Sequence, residues 1–185
     1  AEPAGGRPAA ARALGEETPR RGWRLVWCHE KCHKKESGAV RRALAGITKA
    51  ARGALTCLKK AKTFEMWSDR AIRDPFVLLT DLREFKPCVQ SIEQNRCITG
   101  NQPILIVVLA ESPKHAERAS AWASRLPADR GFPPMHVITD LHGLGPLLAQ
   151  SLDPIFDGGW LHFDQLLEEA RAEEPREAGP RPAAA

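Results

Sequence analysis

The chain has 185 residues and a formal net charge of +4. This length predicts one domain, long enough to bury about two-thirds of the surface that the unfolded chain exposes. Its longest apolar run, "PILIVVLA", is far shorter than the roughly 20 residues that a membrane helix requires, so we expect a soluble protein without a membrane partner. The five cysteines are odd in number and scattered, which argues against a disulfide framework and favours a reducing intracellular compartment, cytoplasmic or nuclear.

The two ends of the chain differ in composition from its middle. Residues 1–20 and 175–185 are rich in Ala, Pro and Gly, and this composition predicts disorder. The first segment lacks the continuous apolar core of a secretory signal, but it bears arginines, so organellar targeting remains open. Between the ends we predict an α/β domain over 21–157 and an amphipathic helix over 158–174.

The predicted elements begin with two strand–helix units. "WRLVWC" (23–28) is a strand-like run, and apolar residues recur at helical spacing after it, with Ser37 as the N-cap and Gly53 as the end of the helix. "ALTCL" (54–58) predicts the second strand. A second helix is predicted behind Thr63.

Three further units follow. "FVLLT" (76–80) predicts the third strand, and Pro87 is then expected in the first turn of a helix. "ILIVVLA" (104–110) is apolar throughout, as a strand covered on both faces must be. Ser112 and Pro113 begin the next helix as N-cap and first helical residue. The last predicted unit consists of a strand over 135–139 and a helix over 144–152.

This alternation predicts the fold. Five strands separated by helices indicate a five-stranded parallel sheet, doubly wound in the flavodoxin-like order 2-1-3-4-5, with the C-terminal amphipathic helix added. Ligands of such sheets bind beyond the carboxyl ends of the first and third strands, where the strand order reverses. Asp81 directly follows the third strand, so we expect it at this switch point.

Over about residues 23–152, the order and spacing of the elements and the motif "FVLLTD" resemble a response-regulator receiver domain. The resemblance implies a phosphoacceptor role for Asp81 and Mg²⁺ binding at Glu30 and Asp81, although His29 replaces one acid of the receiver's acidic pair. It also implies a signalling function.

Two positions depart from the receiver pattern. A receiver has Ser or Thr at the end of the fourth strand, where this chain has Leu109 and Ala110, with Ser112 further on. It has Lys at the end of the fifth strand, where this chain has Thr139 and Asp140. Phosphoryl transfer to a carboxylate depends on cations that neutralise the phosphoryl oxygens. The resemblance therefore implies a receiver-like fold that is degenerate in its phosphorylation residues, and the alternative role of Asp81 is to cap the following turn.

The hexapeptide "CHEKCH" offers four zinc ligands, Cys28, His29, Cys32 and His33. Zinc sites usually combine two separated ligand pairs, and the sequence has no second CxxC or HxxxH pair. The alternative is a buried Cys28 beside exposed histidines. The sequence also lacks a GxSxG elbow and a glycine-rich phosphate loop, so neither a nucleophilic enzyme nor a nucleotide-binding protein is indicated.

The charge is unevenly distributed. Residues 20–73 carry 15 Lys and Arg against four Asp and Glu, whereas residues 140–185 carry nine acidic residues against three arginines. A basic stretch of this kind fits binding to nucleic acid or to an acidic partner, and it also fits the solvated faces of ordinary helices.

Three functional hypotheses follow. The first is a non-catalytic, receiver-like signalling or interaction module that needs no cofactor and binds a protein partner or a second copy of itself. The second is a small α/β enzyme or ligand-binding protein that uses Glu30, Asp81 and Asp140 at the switch point. The third is nucleic-acid binding through residues 20–73.

Overall fold

Five parallel strands form one sheet in the order β2-β1-β3-β4-β5 in the computed structural model, which describes residues 22–70, 74–96, 100–126 and 131–155. The strands are β1 (Arg24–Cys28), β2 (Ala54–Leu58), β3 (Phe76–Thr80), β4 (Leu105–Leu109) and β5 (Met135–Ile138). All four strand pairings are parallel. The predicted fold class and strand order are therefore confirmed, and no strand end differs from its predicted position by more than one residue.

Helices cover both faces of this sheet. They are α1 (Gly38–Ala50), α2 (Ala61–Ser68), α3 (Leu82–Arg96), α4 (Pro113–Ala123) and α5 (Leu144–Leu152). Short 3₁₀ turns lie at Lys35–Ser37, Leu141–Gly143 and Asp153–Ile155. Helices α1 and α5 pack on one face, and α2, α3 and α4 pack on the other. Within the described ranges, no helix has the length and apolar character needed to cross a membrane.

The central strands β1, β3 and β4 are almost entirely apolar because both of their faces are covered. Side chains of a strand alternate between the two faces, so Val77 and Leu79 enter the core beneath α1 and α5. Phe76 and Leu78 enter the core beneath α2, α3 and α4. The two cores thus share the backbone of β3.

The start of α3 differs from its prediction. The helix begins at Leu82, so Pro87 lies inside it rather than in its first turn. The earlier start is stabilised by Asp81, whose side chain accepts a hydrogen bond from the Glu84 N–H at 2.8 Å. Proline lacks an N–H and cannot complete the helical hydrogen bond at its own position. The cap therefore outweighs the proline in setting where the helix begins.

The helix starts at α1 and α4 also differ from each other. Ser112 caps α4 by accepting a hydrogen bond from the His115 N–H, and Pro113 is the first helical residue, as predicted. Ser37 occupies the N-cap position of α1, but its side chain makes no capping hydrogen bond. The predicted disordered ends and the predicted helix over 158–174 lie outside the described residues.

The end of α1 depends on a contact with Trp23. The indole Nε1–H donates to the carbonyl of Ala51 at 2.7 Å, and the Gly53 N–H donates to the carbonyl of Thr48 at 2.7 Å. Arg52, rather than Gly53, has the left-handed backbone, with a φ of 52°. A Cβ at Gly53 would lie 2.4 Å from Cε2 of Trp23. Gly53 is therefore required because the buried indole packs against its backbone.

We predict that Gly53→Ala lowers the free energy of unfolding by about 1–3 kcal/mol, because the added methyl must displace the buried indole. Gly46→Ala is the matched control, since a Cβ at this position in α1 would meet nothing within 4 Å. It should raise stability by roughly 0.5–1 kcal/mol through helix propensity. Urea unfolding followed by tryptophan fluorescence measures both changes, and a Gly53→Ala protein as stable as wild type would contradict the packing argument.

Candidate functional site

A cleft of about 370 Å³ lies at the carboxyl ends of β1, β3 and β4. Because β1 and β3 are neighbours in the sheet, the residues that follow them meet at the point where the strand order reverses. The cleft is lined by polar and apolar side chains from these strand ends and from α3 and α4: His29, Glu30, Lys31, Asp81, Leu82, Arg83, Leu109, Glu111 and His115.

Asp81 is a largely buried carboxylate of the cleft. Its side chain is only 16% exposed, and its Oδ1 accepts the hydrogen bond from the Glu84 N–H that caps α3. Its Oδ2 lies 3.4 Å from Nε2 of His29. Both carboxylate oxygens therefore have a partner, one structural and one in the cleft.

The tautomer of His29 follows from its second ring nitrogen. The backbone N–H of Lys31 donates to Nδ1 at 3.1 Å, so Nδ1 carries no proton. The neutral ring is therefore protonated at Nε2, which faces Asp81 and lies 4.0 Å from Oε1 of Glu111. The ring also stacks on Trp27, with centroids 5.5 Å apart. Neither nitrogen of neutral His29 has a free lone pair, which a general base requires.

Glu30 is turned toward the rim of the cleft by an ion pair with Arg83. The arginine is 73% exposed, so the pair contributes only about 0–1 kcal/mol. It nevertheless occupies the carboxylate that the receiver resemblance assigns to a metal. Glu30 and Asp81 thus line one cleft, but each is engaged by a different positively charged or proton-donating side chain.

Ser112 and Asp140, the other two predicted site residues, both serve as caps. Ser112 Oγ accepts from the His115 N–H at 3.3 Å at the start of α4. Asp140 Oδ1 accepts from the N–H groups of His142 and Gly143 at 2.8 and 3.3 Å. Neither residue belongs to the lining of the cleft. The structure therefore brings Glu30 and Asp81 together and leaves Asp140 apart from them.

The four candidate zinc ligands of "CHEKCH" point to different places. Cys28 is buried in the core beneath α2, α3 and α4, whereas Cys32 is buried in the core on the opposite face of the sheet. His29 lies in the cleft, and His33 is exposed. Within the described part of the chain, no group of three or more His, Cys, Asp or Glu is arranged to hold a metal ion.

Three cysteine thiols, those of Cys32, Cys57 and Cys88, have a raised pKa. The Sγ–H of Cys88 donates to Sγ of Cys28 at 3.7 Å, and this hydrogen bond together with burial raises the pKa of the Cys88 thiol. Burial, followed by the neighbouring Cys57, raises the pKa of Cys32. Burial also raises the pKa of Cys57. The thiolate is the form that binds a metal and acts as a nucleophile, so the raised pKa works against both roles for these three cysteines.

The residues present do not fit the Mg²⁺ that the receiver resemblance implies. Magnesium needs several oxygen ligands in near-octahedral geometry. An ion at Glu30 and Asp81 would have to displace Arg83 from the first carboxylate and compete with His29 for the second. His29 stands where a receiver has an acid, and it supplies an N–H toward Asp81 instead of an oxygen.

Several groups of this site had no clear signal in the sequence. Glu111 and His115 enter the cleft from the segment that leads into α4 and from α4 itself. Glu84 is buried, and its Oε2 accepts from the N–H of Ala61 at 2.7 Å, so α3 caps the start of α2. The pairing of His29 with Asp81 had one usable signal, since both residues directly follow neighbouring strands.

The fold alone does not assign a function to this cleft, because many unrelated functions share the flavodoxin-like topology. The geometry adds an acid–imidazole pair and an ion pair at the rim. No protein-family model, curated protein or solved structure matches the chain.

Proposed function

We propose that the chain is a non-catalytic, receiver-like module that acts in signalling or assembly by binding a protein partner or a second copy of itself. The observation that carries the proposal is the state of Asp81, whose Oδ1 accepts a hydrogen bond from the Glu84 N–H and whose Oδ2 lies 3.4 Å from Nε2 of His29. A phosphoacceptor carboxylate must instead present a free oxygen to the phosphorus atom and a cation to the incoming oxygens.

The ends of β4 and β5 support the same proposal. Leu109 ends β4 and Ala110 follows it, and neither can donate a hydrogen bond from its side chain to a phosphoryl group. Asp140 follows β5 and adds a negative charge where a receiver has a lysine. An additional carboxylate at that strand end works against a dianionic phosphoryl group. A protein of this fold without these phosphorylation groups acts through its surfaces rather than through chemistry at the cleft.

A second candidate function is the binding of a small ligand in the cleft. Its support is the cleft itself, which has about 370 Å³ and contains Lys31, Arg83 and His115 as groups that an anion could meet. Catalysis there has less support, since neutral His29 lacks a free nitrogen lone pair. Binding of nucleic acid through residues 20–73 stays a prediction, and strong salt dependence of binding would be its signature.

The first test is phosphorylation. We expect that acetyl phosphate with Mg²⁺ leaves the mass of the wild-type protein unchanged, because Asp81 is engaged and no lysine follows β5. Asp81→Asn, which retains an N-capping side chain, is the matched control, and intact-mass spectrometry is the measurement. A base-labile, hydroxylamine-sensitive adduct on the wild type that is missing from Asp81→Asn would refute the non-catalytic assignment.

The second test concerns magnesium. His29→Asp places a second carboxylate beside Asp81, so we expect it to lower stability by like-charge repulsion and to create a Mg²⁺ requirement. Ion at about ten times its Kd should then restore roughly 1.4 kcal/mol. His33→Asp makes the same substitution at an exposed histidine and should respond to MgCl₂ no more than wild type does. Thermal melts measure these responses, and a wild type stabilised as strongly as His29→Asp would show that the native residues already hold the ion.

A further inference from the structure

A second groove, of about 400 Å³, lies between α3 and α4, on the face of the sheet opposite α1 and α5. Its lining combines apolar and cationic side chains: Leu82, Lys86, Arg118, Ala121, Trp122 and Arg125. We call this the α3–α4 groove. None of the residues predicted from sequence as a functional site belongs to it.

The lining residues recur at helical spacing on α3 and α4, so the groove is formed by one face of each helix. Leu82 and Lys86 are four residues apart on α3, and Arg118 and Trp122 are four residues apart on α4, so each pair forms a stripe on one helix face. Trp122 is fixed by an edge-on contact with the buried Phe85 at 4.8 Å between ring centroids. The groove therefore has a positioned aromatic wall.

The charge of the groove is not neutralised within the described residues. No carboxylate there forms an ion pair with Lys86, Arg118 or Arg125. Lys86 Nζ instead lies over the ring of Trp122, 5.9 Å from its centroid. Three cations that converge on one groove repel each other, and a bound anionic group would relieve that repulsion.

We propose that the α3–α4 groove binds an acidic peptide segment of a partner protein. Carboxylates of the peptide would meet Lys86, Arg118 and Arg125, and an apolar side chain would pack between Leu82 and Trp122. This inference rests on the proposed function, because it names the partner class of an interaction module. Arginine beside a positioned tryptophan is the composition that dominates protein–protein hot spots.

Two other occupants fit the groove less well. Single-stranded nucleic acid would need an open aromatic face for stacking, but Lys86 covers the ring of Trp122 and Phe85 contacts it edge-on. The chain's own acidic residues 160–174 follow α5, which packs on the opposite face of the sheet. Both occupants give distinct results in the experiment below.

The experiment measures fluorescence anisotropy of labelled peptides with the full chain. The probe is a peptide of repeated Glu-Glu-Leu-Leu, and its counterpart of repeated Lys-Lys-Leu-Leu should not bind. Arg118→Glu/Arg125→Glu should weaken binding of the acidic probe by about tenfold or more. Lys34→Glu/Arg42→Glu makes the same charge change at exposed positions away from the groove and should leave binding within about twofold of wild type, the small effect expected of distant exposed charges in salt.

A third variant separates binding from folding. Ala121 is exposed on α4, so Ala121→Glu places a carboxylate among the three cations without disturbing the core. We expect it to abolish probe binding while thermal stability stays equal to or above that of wild type. If Ala121→Glu binds the probe as wild type does, the groove is not the binding site.

The remaining outcomes overturn the proposal in distinguishable ways. Equal loss in Lys34→Glu/Arg42→Glu would show non-specific charge attraction. Oligothymidylate binding that depends on Arg118 and Arg125 would make the groove a nucleic-acid site. Tighter probe binding by Glu168→Lys/Glu169→Lys would show that the chain's own acidic segment occupies the groove. A phosphoryl adduct on Asp81 would remove the proposed function and leave the groove measurements unchanged.

Discussion

Burial of β3 on both faces of the sheet is the constraint from which the positions of both surface sites follow. Every residue of Phe76–Thr80 is buried, and the strand pairs in register with β1 on one side and β4 on the other. A strand buried in this way ends at the edge of the sheet, where the chain turns into the helix that covers one of the two faces. The residue at that corner, Asp81, is thereby fixed at the switch point, and α3 must start immediately after it.

The structure uses Asp81 to stabilise that corner. A carboxylate that caps a helix is worth on the order of 1 kcal/mol, and here the same side chain also faces the Nε2–H of His29. Chemistry at the cleft would need those oxygens for another purpose. At the two positions where the receiver resemblance would place an acid after β1 and a lysine after β5, this chain has His29 and Asp140, so neither of those groups competes with the structural role of Asp81.

The central strands and the position of Asp81 could be predicted from the sequence because burial on two faces leaves a continuous apolar run. The strand order followed from the alternation of strands and helices, which is typical of a doubly wound sheet. The start of α3 could not be predicted. Pro87 favours a helix that begins later, but the hydrogen bond from the Glu84 N–H to Asp81, which only the folded structure shows, sets the start at Leu82. The positions of the four "CHEKCH" side chains could not be predicted either. Cys28 and Cys32 are four residues apart, yet the chain leaves the strand between them and buries them on opposite faces.

The cleft and the α3–α4 groove meet at one residue, since Leu82 lines both. It is the first residue of α3 and directly follows the capping Asp81. The shape of the groove therefore depends on the cap, because loosening the first turn of α3 would move two lining residues, Leu82 and, one turn later, Lys86. Conversely, a ligand that packs on Leu82 would stabilise the turn that Asp81 caps. Such a coupling would be reciprocal, so strengthening the Asp81 cap would in turn favour that ligand.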